Sequence, residues 1–209
     1  MILTLGCRIS RPPKNELIVR QLAFLFALCL GSMCLGLGIT YLALTRGQGF
    51  DVLHIGPWVS APKSGTLDIE PYTKAMMARS GQIPLGIAEG MSFSASRDSQ
   101  GRPLIASCVY HISGAEPSAR VWTVTLLGRD GQALGNSDHH SLTSQDLVRM
   151  SPSSFDITLA SYARPLNWLA LPKGGSFLIM LRLYDSSLSL SSGALRASDL
   201  PRIERESCS

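Results

Sequence analysis

The sequence is poor in the patterns from which catalytic and metal sites are most readily recognised. It has five cysteines without a Cys-x-x-Cys pair, four histidines without the spacing of zinc ligands, and neither a glycine-rich phosphate loop nor a G-x-S-x-G motif. Charged residues make up only 16% of the chain. The usual sequence indications of a zinc protein, a nucleotide-binding enzyme and a serine hydrolase are therefore missing, and no cofactor is predicted.

One long segment carries no charge at all. It begins at Leu22 and ends at Leu44. At about 1.5 Å per helical residue it would reach roughly 34 Å, enough to cross the ~30 Å hydrocarbon core of a bilayer. We therefore predict a tail at 1–20 and a membrane helix at 21–45, with the lipid bilayer as its partner. A cleavable signal peptide is the alternative, but its apolar region is usually only about 7–15 residues long.

The charges on either side of this segment predict its orientation. Four basic residues and one acidic residue precede it, whereas 15 basic and 14 acidic residues follow Leu44. Positive flanks remain in the cytoplasm. We therefore expect a single-pass protein of a bacterial inner membrane, with its C-terminal domain in the periplasm. Because that domain is nearly neutral, a nucleic-acid partner is not expected. Ala23, Ala27 and Gly31 recur every four residues, which leaves a homodimer through the membrane helix as an alternative.

The cysteines are divided between compartments in this topology. Cys7 is cytoplasmic, Cys29 and Cys34 are in the bilayer, and only Cys108 and Cys208 lie outside. Two exported cysteines fall short of a disulfide framework. The predicted role of Cys108 is that of a small buried hydrophobe inside a strand, in a domain held together by apolar burial.

The exported part divides into a connector at 46–56, a folded domain at 57–185 and a flexible serine-rich tail at 186–209. One short helix is predicted over 72–79, with Asp68 as its cap and Gly81 as its stop. Apolar and polar residues then alternate, which is typical of antiparallel sheets with one face on a core. We predict a mainly β, antiparallel sandwich of jelly-roll character, with strands at 91–95, 104–113, 121–127, 155–160 and 177–183.

Several local patterns match a known family. They are Pro71-Tyr72 at the start of the helix, Glu89 before a strand, Tyr110 followed by Gly114, Trp122-Thr123-Val124-Thr125-Leu126 before Asp130-Gly131, Asn167-Trp168-Leu169 and Leu181-Arg182-Leu183-Tyr184. Over residues 56–185 they resemble the bacterial family called domain of unknown function 1214. The resemblance implies a jelly-roll-like β-sandwich and brings no reaction, cofactor or catalytic residue. The family-motif positions are Tyr72, Glu89, Tyr110, Trp122, Asn167, Trp168, Arg182 and Tyr184.

The same resemblance implies a partner. Members of the family usually carry this domain as the C-terminal half of a longer protein, behind a second domain of unknown function numbered 1254. In this sequence a membrane anchor stands in that place, which implies that a separate protein supplies the companion domain. We therefore favour a non-catalytic interaction module, uncharacterised in its role, over an enzyme.

Two alternatives remain open. The first is a binding domain for envelope glycan, lipid or a small ligand, with Trp168, Arg182 and His111 near one concave face and Asn167 beside them. In the competing structural interpretation, Trp168 closes one end of the sandwich and Asn167 satisfies loop backbone groups. The second alternative is an envelope hydrolase, in which Glu89 or a histidine meets a second titratable group in a pocket. No metal site is predicted.

Overall fold

The computed structural model describes residues 14–46, 52–81, 83–86, 89–134, 139–150, 153–186 and 195–208. The chain divides into two compact units, Met1–Gly47 and Gln48–Ser209. The first unit contains one helix, α1 (Lys14–Arg46). Its segment Ile18–Thr45 is long and apolar enough to cross a membrane, and its side chains are exposed within the unit. A signal sequence would satisfy the same test of length and composition.

The second unit is mainly β. Its elements are β1 (Leu53–Ile55), β2 (Trp58–Ser60), α2 (Pro71–Ser80), β3 (Gly90–Ala95), β4 (Cys108–Ala115), β5 (Ala119–Gly128), β6 (Ser141–Thr143), β7 (Ser154–Ala160), β8 (Trp168–Ala170), β9 (Phe177–Ser186), a 3₁₀ turn (Ala197–Asp199) and β10 (Arg202–Cys208). The predicted strands within β3, β5, β7 and β9 are confirmed. The predicted strand at 104–113 begins only at Cys108 in the structure.

The strands form two sheets. The larger sheet has the order β1-β2-β3-β9-β5-β6 and the smaller sheet the order β10-β4-β7-β8. Every pairing is antiparallel except that of β8, which runs parallel to β7. The mainly β prediction is confirmed, and its antiparallel part is corrected to a mixed arrangement in the smaller sheet. The jelly-roll character stays a prediction.

The inner faces of the two sheets share one hydrophobic core. Phe93, Val124 and Leu181 from the larger sheet and Ile112 and Ile157 from the smaller one are each fully buried. Each such side chain stabilises the fold by roughly 1.5–3 kcal/mol relative to an exposed position.

Aromatic pairs join the two sheets across this core. The rings of Trp122 in β5 and Phe155 in β7 lie 4.5 Å apart, and those of Tyr110 in β4 and Phe177 in β9 lie 5.7 Å apart in an edge-to-face arrangement. Such pairs add to the stabilisation from burial alone. The alternation of apolar residues along the chain therefore creates a closed sandwich.

Helix α2 forms where the sequence predicts a helix, but its cap differs. Glu70, not Asp68, caps the first turn: its carboxylate accepts hydrogen bonds from the backbone N–H groups of Tyr72 and Thr73, at 3.0 and 2.8 Å. Pro71 occupies the first turn, where its missing N–H costs nothing. Gly81 ends the helix with a φ of 67°, a left-handed conformation that suits glycine.

The C-terminal segment corrects the prediction of a flexible tail at 186–209. Residues 187–194 and 209 lie outside the described residues, but 202–208 form strand β10 along β4. Its burial is slight, since Ile203 alone reaches the core. The indole Nε1 of Trp58 donates to the carbonyl of Pro201 at 2.8 Å, and the Ser99 N–H donates to the carbonyl of Ile203 at 2.8 Å. These contacts with distant parts of the chain order a segment whose composition alone suggests disorder.

A disulfide joins Cys108 to Cys208, which corrects the expectation that Cys108 is a free buried hydrophobe. The two residues lie directly opposite each other in the β4–β10 pair, 100 residues apart in sequence. Cys108 is buried and Cys208 is exposed. The missed signal is the placement of Cys208 in a strand, because a cysteine in a flexible tail has no fixed partner.

Candidate functional site

The outer face of the four-stranded sheet carries two of the four side chains that sequence analysis connects with binding, His111 and Trp168. Glu204, His111, Thr158 and Trp168 are successive partners across the four strands β10, β4, β7 and β8. Neighbouring strands are about 4.8 Å apart, so this row extends over roughly 14 Å. We call this surface, together with Asp156 and Glu206, the polar face.

His111 lies between two carboxylates on the polar face. Its Nδ1 is 3.0 Å from an oxygen of Asp156, and its Nε2 is 3.3 Å from an oxygen of Glu206. The same Glu206 oxygen is 3.6 Å from the guanidinium of Arg164. The His111 ring thus connects β4 with β7 and β10, and Glu206 connects β10 with the loop after β7.

These contacts determine the charge of the ring. Partial burial by itself lowers the pKa of His111, but the hydrogen bonds and negative charges of Asp156, and then of Glu206, outweigh burial and raise that pKa overall. An imidazolium with both nitrogens donating to carboxylates has no free nitrogen with which to accept a proton from a substrate. This geometry favours a positively charged connector between strands over a general base.

The raised pKa predicts how stability depends on pH. Because the folded protein binds the His111 proton more tightly than the unfolded chain, its stabilising contribution is fully present below about pH 6.5 and is lost as pH rises through the folded pKa. The measurement is thermal unfolding between about pH 5 and 8. The Tm of wild type should exceed that of His111→Gln by the largest margin at the acidic end. His54→Gln, an exposed histidine in β1, serves as the control. A wild-type advantage that stays constant with pH would contradict the ion pairs.

Trp168 lies on β8, at the edge of the polar face. Its indole Nε1 donates to the carbonyl of Ala160 at 3.1 Å, and its ring centroid is 5.1 Å from that of His139, tilted by 39°. The ring is half-buried. It is therefore held in one orientation beside a second, exposed ring.

Asn167 satisfies backbone groups of two other segments. Its Oδ1 accepts from the Val148 N–H at 2.8 Å, while its Nδ2 donates to the carbonyls of Val148 and Asp156 at 2.8 and 2.9 Å. The side chain is buried. These contacts match the structural interpretation of Asn167, in which it joins the loop before β7 to the start of β8.

Replacing Asn167 tests that interpretation. Asn167→Ala leaves the Val148 N–H without its partner, so we expect a loss of about 2 kcal/mol in the free energy of unfolding, measured by urea denaturation. Trp168→Phe, which keeps a ring at the next position, is the matched control and should lose less. An Asn167→Ala variant as stable as wild type would show that the loop is held by other contacts.

Arg182 lies on the opposite side of the domain. It belongs to β9, where it pairs with Ser92 and Thr123 on the outer face of the six-stranded sheet. Its Nε is buried without a hydrogen-bond partner. Because Trp168 and His111 share the outer face of the other sheet, the expected grouping of all three side chains near one concave face is wrong.

The other family-motif positions are dispersed. Tyr110 and Trp122 are fully buried in the core, and the Tyr110 hydroxyl accepts from the Ile105 N–H at 3.0 Å. Tyr184 lies on the outer face of β9, on the same side as Arg182. Tyr72 is exposed on α2, and the exposed Glu89 accepts from the Gly86 N–H at 3.3 Å. Tyr110 and Trp122 therefore support the fold, whereas Tyr72 and Glu89 lie exposed at the surface.

Sequence reasoning missed the groups that surround His111. Asp156 appears in the sequence only as the polar member of an alternating strand, and Glu206 lies in the segment predicted to be flexible. No local pattern could have paired them, because the contact needs the register of β4 with both β7 and β10. Within the described ranges, no group of three or more His, Cys, Asp or Glu side chains could hold a metal ion.

The fold and the polar face define a two-sheet β domain that displays aromatic rings and ion pairs on one outer surface. Residues 89–188 match the family model described as "Protein of unknown function (DUF1214)". The matched family is the one that the motif resemblance predicts. The match extends from β3 through β9 and leaves β1, β2, α2 and β10 outside.

Two solved structures align with parts of this chain. The VPA0106 protein from Vibrio parahaemolyticus aligns with a TM-score of 0.53 at 21% identity, over 66% of this chain and 36% of that one. An uncharacterised protein from Burkholderia cenocepacia aligns with a TM-score of 0.41 at 18% identity, over 58% of this chain and 30% of that one. The chain thus corresponds to about a third of the length of either structure. A search of curated proteins finds no match.

Proposed function

We propose that the chain is a single-pass protein of a bacterial inner membrane and that its β domain works in the periplasm. The positively charged flank of α1 favours a cytoplasmic N-terminus. The Cys108–Cys208 disulfide is an independent argument, because such bonds form and persist in oxidising compartments and are rare in the cytosol.

The disulfide also provides the test of this topology. Cells expressing the full chain are quenched with acid, and free thiols are alkylated with a maleimide that adds mass. Two cysteines should stay protected in the full chain, whereas a version expressed in the cytosol without residues 1–46 should have both thiols free. Full alkylation of Cys108 and Cys208 in the membrane-bound protein would contradict the periplasmic location.

The proposed role of the domain is that of a non-catalytic interaction module. The observation that carries it is a group of exposed apolar side chains around Asn167, which we call the apolar cluster: Val148, Met150 and Leu166. Met150 is 81% exposed and Leu166 is 62% exposed. The Asn167 side chain holds Val148 by two hydrogen bonds, so Val148 and Leu166 both lie close to Asn167, and Met150 follows Val148 by two residues. Large apolar side chains grouped on a surface mark sites of association.

The backbone of Leu166 adds to this argument. Its φ of 65° is in the left-handed region, which costs a non-glycine residue about 1–2 kcal/mol. A leucine held there with its side chain in water gains nothing from burial within the domain. Contact with another protein would supply that burial.

The proposed partner is a protein that carries the companion domain numbered 1254. The aligned Vibrio chain is nearly three times as long as the part that matches here. The family resemblance places a companion domain in front of this one. A second chain that covers the apolar cluster would reproduce in two pieces what relatives carry in one.

Co-purification tests this proposal. The full chain is extracted from its own membranes in a mild detergent, and bound proteins are identified by mass spectrometry. We expect a companion-domain protein in wild type and at least a tenfold loss of it in Met150→Asp, because a charge in an apolar contact is costly. Leu67→Asp, at a fully exposed leucine outside the apolar cluster, is the matched control. The proposal is wrong if wild type is recovered without a companion-domain protein. It is also wrong if Met150→Asp binds as much of that protein as wild type does.

A further inference from the structure

The indole of Trp168 lies along the sheet surface. Trp168 is opposite Thr158, but its Nε1 donates to Ala160, which is two residues further along β7. The ring must extend along the strands to reach that carbonyl. Ala160 and its partner Ala170 carry only methyl groups, so the ring has space to lie over them. The half-buried indole therefore remains partly exposed to solvent.

His139 extends this aromatic surface. Its backbone carbonyl accepts from the Ala170 N–H at 2.7 Å, which places it along the open edge of β8. Its exposed ring, 5.1 Å from the indole, is tilted by 39° and is not stacked flat upon it. The planes of the two rings are thus inclined to each other, and both rings are at least partly exposed to solvent.

Hydrogen-bonding groups share the outer face of this sheet with the rings. Asp156 and Glu206 are exposed carboxylates whose contacts with His111 use one oxygen each. Arg164 contacts Glu206 and also donates to the Tyr162 hydroxyl at 2.6 Å, with its guanidinium 4.7 Å from the Tyr162 ring centre. The negatively charged acceptors and the positively charged donors thus hold one another in place.

We propose that this part of the polar face binds a pyranose unit of an envelope glycan. The C–H face of a sugar ring is apolar and packs on an aromatic ring, while its hydroxyl groups both donate and accept hydrogen bonds. The Trp168 indole supplies the first contact, and Asp156, Glu206 and Arg164 supply the second, to sugar units that follow along the polar face. The opposite charges on the face nearly cancel, which suits a neutral or N-acetylated sugar better than a polyanion. This inference rests on the proposed periplasmic location but is independent of the proposed companion protein.

The test uses the full chain in a detergent without a sugar headgroup. Isothermal titration with an N-acetylglucosamine tetramer and with a glucose tetramer distinguishes the two classes of glycan, and we expect a Kd of about 0.1–1 mM for one of them. The same titration should quench Trp168 fluorescence, since Trp58 and Trp122 are buried. This second measurement needs no variant.

Variants then locate the site. Trp168→Ala should weaken the binding by about tenfold or more, and Trp168→Phe by less. Tyr72→Ala, at an exposed ring on α2, should bind as wild type does. Met150→Asp should also keep sugar binding, which separates this site from the apolar cluster. If neither tetramer binds the wild type, or if Trp168→Ala binds equally well, the inference is wrong.

Discussion

Removal of the disulfide is expected to destabilise the β domain by about 3–4 kcal/mol. Cys108 and Cys208 close a loop of 100 residues, so the cross-link removes much of the freedom of the unfolded chain. It also holds β10, whose burial is slight, along β4. The measurement is chemical denaturation of the Cys108→Ala/Cys208→Ala double variant in detergent, followed by the fluorescence of the buried Trp58 and Trp122.

The chain offers a matched control for this experiment. Cys29 and Cys34 are free cysteines on α1. Replacing both with alanine removes the same number of sulfur atoms without removing a cross-link, so the β domain should unfold as in wild type. Reduction of the wild-type protein should reproduce the effect of the Cys108/Cys208 double variant. Equal stability of the two double variants would show that the other contacts of β10 are sufficient.

Asp98→Ala is expected to cost about 2–4 kcal/mol. The Asp98 side chain is fully buried, and its carboxylate accepts from the Gln100 and Arg102 N–H groups at 3.0 and 2.9 Å and from Arg102 Nε at 2.8 Å. It also lies 3.5 Å from Arg205 of β10. Loss of the carboxylate leaves these donors without their acceptor and removes the negative charge beside the half-buried Arg205, so both the turn and β10 should loosen.

A similar turn provides the control for Asp98. Asp130 also accepts a backbone N–H two residues ahead, from Gln132 at 3.1 Å, but it is exposed. Asp130→Ala should therefore cost less than about 1 kcal/mol.

Burial alone raises the pKa of Asp98, but the hydrogen bonds and charge from Arg102, together with the Gln100 N–H, hold that pKa below its usual value. The contribution of the Asp98 carboxylate to the free energy of unfolding is present above about pH 3.8 and should be lost as pH falls through the folded pKa.

Much of the fold could be predicted because burial repeats every two residues. Met91, Phe93 and Ala95 all face the core, as their alternation with serine predicts. The helix at α2 was recognisable because Pro71 and Gly81 mark its ends. The cap at Glu70 was not, because a glutamate reaches back to its own helix only in a particular loop conformation.

The C-terminal strand could not be predicted for a physical reason. Residues 202–208 contain a single core residue, Ile203, since an edge strand with a solvated outer face needs few apolar positions. What orders them is a bond to Cys108 and a hydrogen bond from Trp58 to Pro201 across 143 residues. The local composition of the segment does not indicate either contact.

The candidate site was predictable only in its parts. His111 and Trp168 are unusual residues in otherwise apolar or small-residue strands, which drew attention to both. Their common face follows from the parallel pairing of β8 with β7 and from the register that aligns each with Thr158. Arg182 was equally conspicuous in the sequence, yet it belongs to the other sheet, and assignment of strands to sheets is a property of the whole chain.

The hydrogen bond between Trp58 and Pro201 has a consequence for biogenesis. If the chain crosses the membrane from its N-terminal side, the first strands reach the far compartment long before their final neighbours do. The smaller sheet then presents an open β4 edge until β10 emerges, and such an edge is prone to pair with other chains. The domain would therefore be most open to wrong pairing in the interval between the emergence of β4 and that of β10.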